Sequence, residues 1–387
     1  MLNMATVQEA LKTWYKDGFN YQMDESTGPF YAMIDKNSED VQGKDIKMAL
    51  RYGKQGGIGN RTDDGDLPTP KSRSTKQAVW ETKNIFAKIM LTDKTIKASK
   101  TSKGAFVQLL EQELEDALTD TKDDMNRQLF GDGNGTMATL EAGASATTHT
   151  VDSIQYLAEG QHVDIVDPAD GSVIVEGRYI ESIDDADNSV TFSGVAFAAT
   201  AGHVIAIHGN WESELTGLGK VFTPGGTLYG IDRVSHKWLN PIVIDLNNVD
   251  LAETDIQAGI DRSSTRAGGK IDFLLTSHGV RRAYQDLQLT FKRAVNTMDL
   301  KGGFKAINYN GIALVADKYC PAGTMYMMET KDWALYQMEG WDWLSKDGQV
   351  LTKVDNKAAY WATLANYCDL GCSRVGAQVI MKNIPEM

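Results

Sequence analysis

Residues 53–74, GKQGGIGNRTDDGDLPTPKSRS, constrain this chain more than any other stretch. Their only large apolar side chains are Ile58 and Leu67, and the segment is dense in Gly and carries Pro68 and Pro70. A segment of this kind cannot bury enough surface to offset its ordering entropy. A loop this long inside a compact domain is uncommon unless it is functional. Strand-like runs flank it. In 45–52, DIKMALRY, Ile46, Met48, Leu50 and Tyr52 fall on one face, and Asp45, Lys47 and Arg51 on the other, the alternation of a half-buried strand. Residues 77–91, QAVWETKNIFAKIML, are rich in β-branched and aromatic side chains. Two strands carrying such a tip predict a long β-arm, ordered by contact with another copy of the chain. Its unpaired backbone can be completed by strand addition, with Ile58, Arg61, Leu67, Pro68, Lys71 and Arg73 as the expected contact residues.

The segment before it, 1–44, begins with a helical turn or two and is otherwise polar and irregular, yet it holds Trp14, Tyr15, Phe19, Tyr21, Phe30 and Tyr31. Large aromatic groups in a segment with no core of its own are candidates for interface anchors. Trp14, Tyr15, Phe19, Phe30 and Tyr31 are therefore expected between neighbouring subunits.

Residues 102–130 carry the strongest helical pattern. Phe106, Leu110, Leu114 and Leu118 repeat every fourth residue, and Met125 and Leu129 continue the stripe against an acidic remainder. Ser102 suits the N-cap and the GDGNG run from Gly131 suits the stop. Such a helix would be about 40 Å long, a structural spine. From 149 to 212 the character changes to short strands separated by turn clusters (QHVDIVD, SVIVEGRYIESI, SVTFSG, HVIAIHG), the rhythm of a small antiparallel barrel. Residues 213–345 alternate helix and strand: a helix capped by Asp250, the buried strand KIDFLLTS, the helix HGVRRAYQDLQ, then NGIALVAD and TMYMME. Residues 346–387 return to strand-rich alternation.

Composition closes off several functions. The net charge of -13 repels nucleic acid overall and leaves no basic stripe for duplex recognition. No apolar run is long enough for a membrane helix, and the N-terminus shows no secretory signal pattern. The odd, sparse set Cys320, Cys368 and Cys372 points to buried, reduced thiols, since a lone pair four apart is half a zinc site at most. GGIGN at 56–60 lacks the strand-to-helix context of a dinucleotide fingerprint. Asp132–Gly135 lacks the third ligand and the terminal Glu of a calcium loop. The six histidines are scattered, with His203 and His208 expected on opposite strand faces. Ser277 beside His278 sits in no nucleophile elbow and suits a helix N-cap. No catalytic, cofactor-binding or metal-ligating residue is assigned.

The ordered series along the chain resembles the major capsid proteins of tailed bacteriophages. The most specific piece is YNGIALVADKYCPAGTMYMMETKDWAL, where a buried strand leads to Asp317, a turn with Pro321 and Gly323, a hydrophobic strand and Trp333. KIDFLLTSHGVRRAYQDL is similar to the strand-then-helix of that family's axial domain. The resemblance implies an α+β Hong Kong 97-like fold with an N-terminal arm (1–44), an extended β-arm loop (45–91), a peripheral domain with the spine helix (92–148), an inserted β-barrel domain (149–212), an axial domain (213–345) and a return to the peripheral and axial core (346–387). It implies a self-assembling icosahedral shell around double-stranded DNA, in the virion, put together in the bacterial cytoplasm. The implied partners are other copies in hexamers and pentamers, scaffolding and portal proteins, a decoration protein, and packaged DNA without sequence-specific binding. No membrane, cofactor or catalysis is implied. A nanocompartment shell has the same fold, and an enzyme or glycan-binding protein with its site in the barrel is the alternative of another class.

Overall fold

The structure is a computed structural model that describes residues 28–93, 103–290, 297–299, 304–345, 350, 352–354 and 356–386. In chain order, the elements used below begin with α1 (Pro29–Met33), β1 (Asp35–Asn37), β2 (Asp45–Tyr52), β3 (Ser74–Glu81), β4 (Lys83–Thr92) and α2 (Lys103–Phe130). Next come β5 (Ala138–Thr139), β6 (Thr148–Thr150), β7 (His162–Val166), β8 (Val173–Asp184), β9 (Ser189–Phe192) and β10 (Val204–Ile207). β11 (Ile242–Asp245), α3 (Glu253–Ala267), β12 (Phe273–Thr276), α4 (His278–Thr290), β13 (Thr297–Asp299), β14 (Lys305–Tyr309), β15 (Ile312–Ala316) and β16 (Met325–Met328) follow. The chain ends with β17 (Trp333–Gln337), β18 (Asp342–Trp343), β19 (Thr352–Lys353), β20 (Ala359–Cys372) and β21 (Val379–Lys382).

Three sheets carry the architecture. The peripheral sheet is built on the long strand β20, which pairs with β4 and with β17, β18 and β19, while β1 adds parallel to β17. The spine helix α2 packs on its inner face, where Leu118, Met125 and Leu129 join Ile85, Ile89, Leu364 and Leu370 in one buried cluster. The axial sheet has seven strands in the order β11-β21-β16-β12-β15-β14-β13. In its parallel pair β12·β15, all of β12 and the middle three residues of β15 are buried and, Thr276 apart, apolar, as parallel strands with both faces packed must be.

The third sheet is the inserted barrel, six strands in the order β5-β10-β7-β8-β9-β6. An antiparallel bridge between Leu140 and Val151 joins its two ends and closes it, which removes the open edges. It has its own core, including Val163, Ile165, Ile180, Val190, Phe192 and Ile205.

Four expectations need correction. The run 77–91 is not one strand: β3 ends at Glu81 and β4 leaves to pair with β20, so the arm stops before 91. The barrel starts earlier than 149, because 138–139 and 148–150 already belong to its sheet. The axial domain ends before 345, because β17 and β18 pair in the peripheral sheet. Finally, α3 starts at Glu253 and not beside Asp250: the Asp255 carboxylate accepts from the Ala252 N–H at 3.0 Å and closes the first turn.

Candidate assembly interface

β2 and β3 pair without a break from Asp45↔Glu81 to Tyr52↔Ser74. Period two puts Ile46 and Leu50 on the buried face with Ala78 opposite, and Lys47, Ala49 and Arg51 outside. The paired part of this hairpin is clamped to its own subunit along its length. The Val79 N–H donates to the Tyr229 carbonyl at 3.0 Å, Trp80 packs on Tyr229 at 4.3 Å, and Tyr52 stacks on Trp238 at 4.6 Å. Gly230 lets the backbones approach, since a Cβ there would lie 2.8 Å from the Val79 carbonyl oxygen at a φ of +72°.

Beyond Tyr52 the contacts become local. Gly56 N–H bonds to the Lys71 carbonyl at 2.9 Å, and Gly65 N–H to the Thr62 carbonyl at 3.0 Å. The Arg61 guanidinium donates to the carbonyls of Asp66 and Asn60, both at 2.9 Å. Arg61, Lys71 and Arg73 are exposed and Pro68 is half-buried. Ile58 is 82% exposed and Leu67 86% exposed. A β-ribbon thus holds two large aliphatic side chains in water, away from every core of its own chain.

Phe30 and Tyr31, expected between subunits, are core residues. They are 1% and 2% exposed, and Phe30 meets Trp333 edge-on at 5.7 Å. Pro29 starts the one-turn helix α1, which turns both rings inward. Burial pushes the Tyr31 hydroxyl well above its ordinary pKa. Trp14, Tyr15 and Phe19 lie outside the described residues, as do the side chains of Phe106, Leu110 and Leu114.

The motif at 317–333 is a structural junction. Asp317 accepts from the Asn126 amide of α2 at 3.0 Å and from the Tyr319 N–H at 2.9 Å, and Gly28 presses against this pair so closely that a Cβ would collide. Burial pushes the Asp317 carboxyl up, and these bonds pull it back down. Gly323 N–H donates to Glu386 at 2.8 Å, and Trp333 Nε1 to the Gln378 side-chain amide oxygen Oε1 at 3.2 Å. The barrel ties in at the same place: Gln155 donates to the carbonyls of Lys318 and Cys320, and Tyr156 to that of Tyr319. At the barrel's neck, Arg127 of α2 grips Glu214 and Asp124.

The barrel also assembles a cluster that the sequence left scattered. His162 stacks on Tyr179 at 4.5 Å and meets His208 at a tilt, 4.4 Å between ring centres. His208 shares a hydrogen bond with Asp164 at 2.8 Å. Asp164 also accepts from the N–H groups of Gly177 and Gly209, and against its burial these bonds together with His208 hold its carboxyl below the usual range. Only the β7·β10 register, Val163 against Ile207, puts the two imidazoles side by side. Among the described residues no group of three or more His, Cys, Asp or Glu could hold a metal, and no helix is long and apolar enough to cross a membrane. Cys320, Cys368 and Cys372 are buried and unpaired, and burial pushes all three thiols up.

A projecting β-arm, a spine helix under a peripheral sheet, and a mixed axial sheet flanked by α3 and α4 define the Hong Kong 97-like capsid fold. Solved structures match it over nearly the whole chain. The capsid asymmetric unit of cyanophage A-1(L) is 13% identical, with 92% of each chain covered and a TM-score of 0.58. The capsid of an empty GTA particle is 8% identical, with 100% of each chain covered and a TM-score of 0.52. No family model matches the sequence and no curated protein matches it.

Proposed function

We propose that this chain is the major capsid protein of a tailed phage, whose work is self-assembly into an icosahedral head enclosing double-stranded DNA, not catalysis. The observation that carries the reading is the arm tip. Ile58 and Leu67 sit in water in the loop beyond a hairpin that is anchored as far as Tyr52, and burying each in a neighbour is worth about 1.5–3 kcal/mol. Many such contacts per subunit multiply through high effective concentration. Arg61, Pro68, Lys71 and Arg73, on the same loop, complete the contact.

On this reading the copies form hexamers and pentamers, with scaffolding and portal proteins in assembly and a decoration protein on the finished head. Packaged DNA touches an acidic chain that offers it no specific site. The virion is the destination and the bacterial cytoplasm the place of assembly. Electron microscopy and sedimentation of the purified protein test this directly. Closed shells of uniform size are expected, and a protein that stays monomeric at high concentration would overturn the reading.

A further inference from the structure

β11 is an edge strand of the axial sheet. It pairs with β21 on one side only, and the Ile242 N–H donates to the Gln378 carbonyl at 2.9 Å. The parallel register turns the backbone groups of Ile242 and Ile244 to β21, so the N–H and C=O of Val243 point to the open side. Among the described residues nothing pairs with them. Helix α3 runs alongside. Its Ile256, Gly259 and Ser263 pack inward, and Gly259 lets Ile244 and Met327 come close.

Its other flank forms a groove of about 330 Å³ with the strand edge, lined by Pro241, Ile242, Val243, Arg262, Thr265 and Arg266. Arg262 and Arg266 are exposed and one turn apart on this wall. Arg266 donates to the carbonyls of Pro241 and Lys237, at 3.3 and 3.2 Å. Neither guanidinium meets a carboxylate among the described residues, although the chain as a whole is acidic. Burial and the Arg262 charge both work against protonated Arg266. Two unneutralised positive charges beside an unpaired strand edge are incomplete as they stand.

We propose that this groove binds an extended acidic segment of a separate partner protein, added as a strand to β11 with its carboxylates on Arg262 and Arg266. Strand addition supplies main-chain hydrogen bonds, and the helix wall selects side chains on alternate residues. A bidentate guanidinium–carboxylate pair provides the choice of acidic side chains. The acidic runs at 63–66 and 184–187 are poor occupants because each is folded into a turn: the Gly65 N–H donates to the Thr62 carbonyl, and the Ala186 N–H to the Asp184 carboxylate. The inference does not depend on the shell reading, since it concerns the unassembled subunit.

The test is fluorescence anisotropy of a short labelled peptide of alternating glutamate and valine, titrated with soluble subunit. Saturable, salt-sensitive binding is expected, weakened about tenfold or more by Arg262→Glu and abolished for the lysine–valine peptide. Val243→Pro removes only the outward N–H, a substitution edge strands tolerate. With an unchanged melting temperature it should weaken binding as much, whereas an effect of Arg262→Glu alone would mean simple charge attraction and overturn strand addition. No binding to the native subunit would also overturn the proposal. So would binding that tightens on removal of residues 1–27, which would assign the groove to the chain's own N-terminal segment.

Discussion

The Arg127 guanidinium closes on the Glu214 carboxylate through two hydrogen bonds, of 2.5 and 3.0 Å, and both side chains are buried. Arg127 lies in the last turn of the spine helix and Glu214 follows the barrel, so this pair fixes where the inserted domain leaves and rejoins the chain. Asp124 adds two further bonds to the same guanidinium. Removing one partner strands a buried charge. Arg127→Ala leaves Glu214 buried without its cation and is expected to cost about 3–5 kcal/mol in denaturant unfolding of the subunit, and replacing both residues by apolar ones of similar volume much less. Equal losses for the single and the double variant would show that the charges are not coupled.

Asp369 on β20 is fully buried, accepts from the Thr216 N–H at 2.7 Å, and leaves its second oxygen without a protein partner. Burial pushes its pKa up to about 7, against the weaker pull of the Thr216 bonds and of Lys83. An acid with a raised folded pKa favours the fold while protonated. Its contribution is constant below about pH 4, falls as pH rises, and is lost above about pH 7. The window corresponds to roughly 4 kcal/mol. Asp369→Asn keeps the acceptor for Thr216 and cannot ionise. Melting scans are expected to show it more stable than the native chain above neutrality and equal near pH 4.

The arm tip and the spine should separate assembly from stability. Leu67→Asp and Ile58→Asp change exposed positions, so the melting temperature of the lone subunit should hardly move, within about 0.5 kcal/mol. Shell formation by sedimentation should be lost. Met125→Ala and Leu129→Ala empty buried space beneath the peripheral sheet and should cost about 2–5 kcal/mol in the subunit itself. Tip variants that still form full shells would remove the arm from the assembly contacts.

Much of this fold was legible because its signals are local. Alternation in 45–52, a Gly- and Pro-dense tip, and an i, i+4 stripe ending at Leu129 each reflect one element's own geometry. What was missed depends on contacts far apart in sequence. Phe30 and Tyr31 looked like interface anchors because nothing near them offers a core; Trp333 supplies it from the other end of the chain. Nothing in QAVWETKNIFAKIML marks the handover between sheets at Thr82, which bonds back to the Lys44 carbonyl while the next residue starts pairing with β20. The groove beside β11 was invisible for the same reason, because its walls come from 241–243 and 262–266 and need the sheet order to meet.

That correction changes what a truncation should do. Residues 28–37 belong to the subunit: α1 carries Phe30 and Tyr31 into the core, and β1 pairs with Ala334–Tyr336. Phe30→Ala is expected to cost about 3–5 kcal/mol, and a deletion running through residue 31 should lower the melting temperature instead of merely blocking assembly. A deletion through 31 that leaves stability untouched would show that the α1 contacts contribute little.

The barrel should be separable at its neck. Its strands close on one another through Leu140 and Val151 and its core is distinct from the peripheral and axial clusters. At the root, the Glu212 N–H bonds to the Asn134 carbonyl at 2.9 Å, so the two ends of the insertion lie side by side. Replacing 136–209 by a short Gly-Ser link should therefore leave Arg127 and Glu214 paired and the rest of the chain folded. The loss is the bonds of Gln155 and Tyr156 to the 318–320 turn, each worth about 0.5–1.5 kcal/mol, with the ring contact of Tyr156 on Tyr319 and the packing of Trp211 on the barrel. A native-like circular dichroism spectrum of the remainder and a single cooperative melt, lowered by these contacts, are expected. Collapse of the shortened chain into aggregates would mean that the barrel is a structural member of the subunit and not an autonomous insertion.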